Sequence, residues 1–261
     1  MKTRKRAQVD VTNPLAPVRI SPVRVNGTSV TNKGVEILND DEEWECINIQ
    51  SDSYNLIPNS AVQEVTGQIL ADSKMSWRAI RDVWTGRYWA RLYKSDVSVK
   101  APSVGDALSL GLRVENSYDG SCQFRLVLMA YVLSCTNGLV STEHFTSYRM
   151  RHTRSNKFIT SEAVSVLMRG MREVKAIIPM VEHLGEIPLT MDLLSKVSRE
   201  TSLPNREWGH ITKDLDQAKT AWDLMQAITH RLSHHGRGRA NLQHQERIGD
   251  YFLDKLPRAA A

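Results

Sequence analysis

The sequence has little of what marks secreted or membrane proteins. It contains three cysteines, Cys46, Cys122 and Cys135, and no CxxC arrangement. Unpaired thiols of this kind favour a reduced, cytoplasmic protein. No apolar run reaches the roughly 18–20 residues that a membrane span needs, and no apolar stretch of a secretory signal follows the basic N-terminus. We therefore expect a cytoplasmic protein with no membrane partner.

Motifs of common catalytic and cofactor sites are also absent. The chain has no G-x-S-x-G, Walker A, G-x-G-x-x-G or HExxH pattern. His230 and His234 are four residues apart, so they share a helix face and could supply half of a metal site, but the spacing dictates no third ligand. We expect no cofactor, no bound metal and no catalysis; a metal-dependent nucleic-acid enzyme remains an alternative.

Composition and charge fit a globular protein that could bind an acidic partner. Of the 261 residues, 41% are apolar and 24% are charged, which argues against wholesale disorder. The net charge is 34 − 29 = +5. This mild excess of base permits a nucleic-acid partner without requiring one.

Three segments with different patterns are visible along the chain. Residues 1–44 are basic and then acidic, with three prolines that stop helices, and we expect a flexible arm. Residues 45–159 predict an antiparallel sheet with one helix, and residues 160–261 predict a helical part packed on that sheet. The fold class that follows is α+β: a curved antiparallel sheet with β-hairpins, backed by helices, and a helical C-terminal part.

Two hairpins and several helix starts can be placed more closely. The first hairpin spans about 76–94 and turns at Thr85-Gly86. In the second, Leu108 to Glu115 alternate apolar and polar side chains, the pattern of a half-buried strand, before a turn at Asp119-Gly120. Thr160 and Thr190 are suited to cap later helices.

The first hairpin combines basic and aromatic side chains. On its second strand Arg87, Trp89, Arg91 and Tyr93 alternate along one face. Arginine pairs with phosphates and aromatic rings stack on bases, so this face suits single-stranded nucleic acid; an ordinary solvated outer face is the alternative. The candidate binding residues of the hairpin are Arg78, Arg81, Trp84, Arg87, Trp89, Arg91, Tyr93 and Lys94.

A second basic cluster follows the second hairpin. Arg149, Arg151 and Arg154 lie in a stretch with no acid between Glu143 and Glu162. Neighbouring Ser and Thr residues add donors of the kind that contact phosphates. We assign these three arginines to phosphate contacts, with a plain solvated loop as the alternative.

Several blocks resemble the phage/plasmid-like protein family described as domain of unknown function 932. They are N-S-x-D-G-S within residues 110–121, C-x-N within 131–139, Y-N-L-I-P-N at 54–59, R-H-T at 151–153 and a helix block at 220–230. The resemblance implies a phage or plasmid origin but supplies no activity. Its hairpins followed by helices are similar, at the level of fold, to single-strand annealing recombination proteins.

The functional expectation combines these features. We expect a non-catalytic protein that binds single-stranded DNA, acts in annealing or recombination for a phage or plasmid, and forms a homo-oligomer. The alternative is a protein-interaction or host-takeover module, in which the aromatic side chains would anchor a protein partner.

Overall fold

The computed structural model describes residues 11–132, 138–139, 141, 144–153, 160–235 and 239–257. Antiparallel sheets occupy most of the N-terminal half of this range, and helices occupy most of the rest. The predicted α+β class with a helical C-terminal part is therefore confirmed.

Two of the three strands of the first sheet come from the segment that the sequence predicted to be a flexible arm. β1 (Val18–Val25) and β2 (Thr28–Leu38) form a hairpin, and β3 (Trp44–Gln50) pairs with the other side of β2. The flexible-arm prediction for residues 1–44 is wrong for β1 and β2, whereas β3 lies, apart from Trp44, in the segment that was predicted to be sheet.

Turn chemistry and an edge position explain why this hairpin forms. Asn26 and Gly27 both have positive φ, as a two-residue turn between strands requires. Pro22 stops helices but is tolerated here because β1 is an edge strand and its register shifts at that residue. Val35 and Ile37 of β2 are fully buried in a small core, which holds the sheet to the body of the protein.

The second sheet contains both predicted hairpins. Its strands are β4 (Trp77–Trp84), β5 (Tyr88–Ala101), β6 (Asp106–Ser117) and β7 (Phe124–Val132), paired in that order, and the free side of β7 pairs with β8 (Gly138–Leu139) and β9 (Ser147–Met150). The turns fall at the expected glycines, Gly86 and Gly120, each with positive φ. Both hairpin predictions are confirmed.

Burial of β6 differs from the sequence prediction. Its polar face, which includes Arg113 and Glu115, is as buried as its leucine face. The half-buried assignment is wrong because part of the C-terminal segment packs on the polar face. Arg113 donates there to the carbonyl of Leu242, which lies 129 residues further along the chain.

Helices cover the leucine face and build the C-terminal part. They are α1 (Asn59–Asp72), α2 (Thr160–Ala176), α3 (Ile178–Glu186), α4 (Met191–Thr201), α5 (Asn205–Ile211), α6 (Ala221–His230) and α7 (Arg239–Asp250). As expected, Thr190 caps α4 by accepting from the backbone N–H of Leu193. A π-helical turn, Arg231–His235, follows α6, and a second one, Tyr251–Lys255, follows α7.

Candidate anion-binding pocket

A β-bulge in β4 places two arginines on the same face of the second sheet. Arg78 lies opposite Lys94 and Arg81 lies opposite Leu92, so one extra residue, Ile80, interrupts the pairing. Directly paired residues share a face, and so do residues two apart on one strand. Arg78, Arg81 and Lys94 therefore face the same side, the polar face of β6.

These three basic side chains line a cavity of about 410 Å³. The sheet forms one wall, and the π-helical turn after α6 together with α7 forms the other. Among the residues that the structure describes, the lining is Arg78, Ala79, Ile80, Arg81, Leu92, Lys94, Tyr131, Gly138, Ser233, His234 and Gln245. We call this cavity the basic pocket.

The described residues that line the basic pocket carry positive charge without an opposing acid. None of the residues just given as its lining is an aspartate or a glutamate. Burial and the neighbouring guanidinium of Arg78 lower the pKa of Lys94. Burial also lowers the pKa of Arg81. These directions mean that positive charge is held there at an energetic cost, which an anion would relieve.

Two buried polar atoms in the pocket lining have no hydrogen-bond partner within the described part of the chain. They are the hydroxyl of Tyr131 and the amide oxygen of Gln245, and both residues are 2% exposed. Burial raises the pKa of Tyr131, so its hydroxyl keeps its proton and can donate. The amide nitrogen of Gln245 donates one hydrogen bond to the Ser233 hydroxyl over 2.8 Å.

A buried ion-pair network fixes α7 beside the pocket. Arg113 of β6 contacts Glu246 of α7 and also Glu115, at 3.5 Å. Arg125 of β7 contacts both carboxylates at 3.1 Å, and the Tyr88 hydroxyl donates to Glu115 over 2.5 Å. Burial acts to raise the pKa of Glu115, but Arg113 and Arg125 outweigh it and lower that pKa.

The network has a positioning role for the pocket. Glu246 directly follows Gln245, so the contacts of Glu246 with the sheet also hold Gln245 against the pocket. This network could not be found from the sequence, because its members come from four elements, β5, β6, β7 and α7, and Glu246 lies 121 residues after Arg125. The one available signal was a charged pair, Arg113 and Glu115, on the polar side of an alternating strand.

The aromatic residues predicted to stack on bases lie elsewhere. Trp89 is fully buried and Tyr93 is 8% exposed, both in the main core on the opposite face of β5. Trp84 is half-buried, and its indole N–H donates to the Val11 carbonyl over 2.7 Å. A stacking role for Trp89 and Tyr93 is therefore wrong, because aromatic strand residues that face helices become core.

The remaining arginines of the hairpin are not part of the pocket. Arg91 donates two hydrogen bonds to the Asp82 carboxylate, of 2.7 and 2.8 Å, and a third to the Gln63 amide oxygen. The carboxylate of Asp82 therefore neutralises the charge of Arg91. Arg87 is half-buried next to the turn. The predicted face of alternating arginines and aromatic rings is therefore not one exposed surface. Trp89 and Tyr93 are buried, and the charge of Arg91 is neutralised by Asp82.

Residues of the second basic cluster lie at the other end of the sheet. Arg149 of β9 is exposed and pairs in register with Arg125, and Arg151 is exposed just after the strand. Arg154 lies outside the described residues, as does Cys135. Arg149 shares the polar face of the sheet with the pocket residues, since its partner Arg125 does.

The possible metal pair is close together but incomplete. The rings of His230 and His234 have centroids 4.6 Å apart, as expected from their helical spacing. Within the described ranges, no group of three His, Cys, Asp or Glu side chains could hold a metal ion.

The sequence blocks that suggested a family join one another structurally. Asn116 donates to Asn59 and to the Ile57 carbonyl, and the backbone N–H of Asn59 donates to the Tyr118 hydroxyl. Ser121 donates its backbone N–H to the Asp119 carboxylate, as a turn residue does. The block at 54–59 and the block within 110–121 therefore maintain the fold around α1, whereas the block within 131–139 supplies Tyr131 and Gly138 to the lining of the basic pocket.

Fold and pocket together define a class: an α+β protein with a cavity between a sheet and a helical layer that three basic side chains line. The chain belongs to the family described as Domain of unknown function (DUF932), whose model matches residues 47–250. No curated protein and no solved structure matches it. Within the part of the chain that the structure describes, no helix is long and apolar enough to cross a membrane.

Proposed function

We propose that this protein binds single-stranded nucleic acid without catalysing a reaction, and that the basic pocket holds the phosphate. The observation that carries this proposal is the pairing of Arg78 with Lys94. Like charges directly opposite each other on neighbouring strands are destabilising. A bound phosphate would lie between them and Arg81 and turn this repulsion into attraction.

The dimensions of the pocket favour one strand over two. A cavity of about 410 Å³ accommodates about one nucleotide and not the paired strands of a duplex. Because the contacts are cationic, recognition would depend on phosphate more than on base identity. Arg149 and Arg151 could contact a strand further along, on the same sheet.

The biological role that we propose is unchanged from the sequence prediction. It is annealing or recombination of phage or plasmid DNA by a homo-oligomer in the host cytoplasm. The buried positions of Trp89 and Tyr93 change how the strand would be held: phosphate contacts replace base stacking as the main source of affinity.

A second candidate is a protein-interaction module. The first sheet supports it, because several of its large apolar side chains are exposed. They are Ile20, Val25, Val30, Trp44 and Ile49. If this sheet is the functional surface, binding to a protein partner should survive high salt, since apolar contacts are not screened.

Fluorescence anisotropy with labelled single- and double-stranded oligonucleotides tests the first candidate. The pocket variant is Arg78→Ala/Lys94→Ala. The control variant, Arg199→Ala/Lys213→Ala, removes the same charge from exposed sites outside the pocket lining. We expect the wild type to prefer the single strand, the pocket variant to lose at least tenfold in affinity, and the control to change little. Equal losses in both variants would show a general charge effect and contradict a phosphate site in the pocket.

A further inference from the structure

A side-chain hydrogen bond joins the two walls of the basic pocket. The guanidinium of Arg81, on β4, donates to the carbonyl of Ser233 in the π-helical turn. Since both residues belong to the lining, this bond bridges the sheet wall and the helical wall. A continuous strand would have to pass around the bridge, whereas the end of a strand can enter from the open side beside exposed Arg78 and His234.

The described lining of the pocket carries more positive charge than an internal phosphate needs. A phosphodiester carries one negative charge. A terminal phosphate monoester carries about −1.5 to −2 at neutral pH and has three acceptor oxygens. Arg78, Arg81 and Lys94 supply three cations, and the hydroxyl of Tyr131 supplies a neutral donor that no protein group uses within the described residues. This donor set matches the monoester better than the diester.

Other parts of the lining match the rest of a nucleotide. The buried amide oxygen of Gln245 is an acceptor without a described partner. An acceptor cannot bind a fully ionised phosphate, but it can receive a sugar hydroxyl or a base amino group. Ile80 and Leu92 add apolar surface against which a sugar or a base can pack.

We propose that the basic pocket binds a nucleotide that carries a terminal phosphate monoester. This inference rests on the proposed function and makes it specific: the pocket recognises a phosphorylated strand end. The same chemistry is present in a free nucleoside monophosphate, so the test includes both sources.

The test uses one oligonucleotide sequence with a 5′-phosphate, a 3′-phosphate or hydroxyls at both ends, labelled internally, with the full-length protein. We expect one phosphorylated form to bind at least tenfold more tightly than the hydroxyl form. Unlabelled nucleoside monophosphate and inorganic phosphate serve as competitors. If the monophosphate competes as well as the phosphorylated strand does, the source is the free nucleotide; if it is much weaker, the source is the strand end.

Tyr131→Phe locates the effect in the pocket. It removes a hydroxyl without a described partner and keeps the ring, so the fold should be retained. We expect the preference for a phosphorylated end to fall severalfold. The matched control is Tyr251→Phe, which removes another buried hydroxyl without a described partner, outside the pocket lining.

The outcomes separate this inference from the proposed function. Equal binding of all three oligonucleotides, with no competition by the monophosphate, would overturn the phosphate-end inference and leave single-strand binding in place. No binding of any oligonucleotide at low salt would overturn the proposed function. A phosphate preference that Tyr131→Phe and Tyr251→Phe reduce alike would place the recognised phosphate outside the pocket and overturn the inference.

Discussion

Gly111 determines where the ring of Tyr131 can lie. A Cβ atom at residue 111 would be 2.5 Å from the Cε2 atom of Tyr131 and 2.7 Å from the side chain of Met129. The tyrosine ring therefore crosses β6 over a position that has no side chain. This close approach brings Tyr131 to the same cavity as Arg81 and Lys94.

Replacing Gly111 with alanine should destabilise the protein and displace Tyr131. We expect a loss of about 1–3 kcal/mol in the free energy of unfolding, typical of overpacking a core. The control is Gly67→Ala, where a Cβ would meet nothing within 4 Å and where alanine favours the helix by up to about 1 kcal/mol. Equilibrium denaturation of both variants measures the difference. Equal stabilities would contradict the close packing of Tyr131 on Gly111.

His152 is a second residue whose surroundings have a measurable consequence. Its ring stacks on Tyr54, with centroids 5.5 Å apart and planes 8° from parallel. Burial lowers the pKa of His152 to about 4. The folded protein therefore holds the imidazole neutral, whereas an unfolded chain would protonate it near pH 6.5.

The stability of the protein should fall with acidification as a result. Because the pKa in the folded state is depressed, the contribution of His152 is fully present above about pH 6.5 and is lost as the pH falls toward about 4. The total loss in the free energy of unfolding that His152 accounts for is about 3 kcal/mol. Between pH 7 and pH 4, the free energy of unfolding should decline less in His152→Phe, which keeps an aromatic ring on Tyr54, than in the wild type. Denaturation at each pH measures it. The control is His210→Phe at an exposed site, in which the free energy of unfolding should decline as in the wild type. If it also declines as in the wild type in His152→Phe, His152 is not the source of the pH dependence.

At the level of elements, short-range signals predicted the strands but not which faces become covered. The Asp119-Gly120 turn and the alternation in β6 were enough to place the second hairpin. They could not show that α7 would cover Arg113, because Leu242 of that helix lies 129 residues after Arg113 and the contact depends on long-range packing. For the same reason Trp89 and Arg91 were assigned to a binding face when one is buried and the other is paired with Asp82.

The bulge in β4 illustrates the same limit. Strict alternation puts Arg78 and Arg81 on opposite faces, and only the unpaired Ile80 brings them together. Nothing in the local sequence requires a bulge at that residue. The basic residues of the pocket could be predicted from the sequence, but their common face could not.

The ion pairs between α7 and the sheet should dominate the stability of that helix. Glu246→Ala leaves Arg113 buried with fewer partners, and we expect a loss of about 3 kcal/mol in the free energy of unfolding. Adding Arg113→Met should recover part of this loss because the uncompensated charge is removed. A double-mutant cycle by denaturation measures the coupling. Glu200→Ala, at an exposed site on α4, is the control. If the losses in the free energy of unfolding caused by Glu246→Ala and Arg113→Met simply add, the two residues are not coupled and the network is contradicted.

At the scale of the whole molecule, the candidate site is an assembly of distant segments. β4 and β5 supply the cations, β7 supplies Tyr131, and the segment after α6 and α7 supply Ser233 and Gln245. The sequence predicted eight candidate binding residues in the first hairpin, and three of them, Arg78, Arg81 and Lys94, line the pocket. The other wall could not be predicted, because residues 233 and 245 belong to segments that carry no recognisable motif.

The salt dependence of binding tests the central claim most directly. Affinity for a single-stranded oligonucleotide should fall linearly on a log–log plot against salt concentration, with a slope of about −0.7 per phosphate contact. Because Arg78 and Lys94 would contact the same phosphate, Arg78→Ala/Lys94→Ala should reduce the magnitude of the slope by about 0.7, while Arg199→Ala/Lys213→Ala should keep the slope of the wild type. An unchanged slope in the pocket variant, with normal folding, would contradict the claim that the basic pocket binds phosphate.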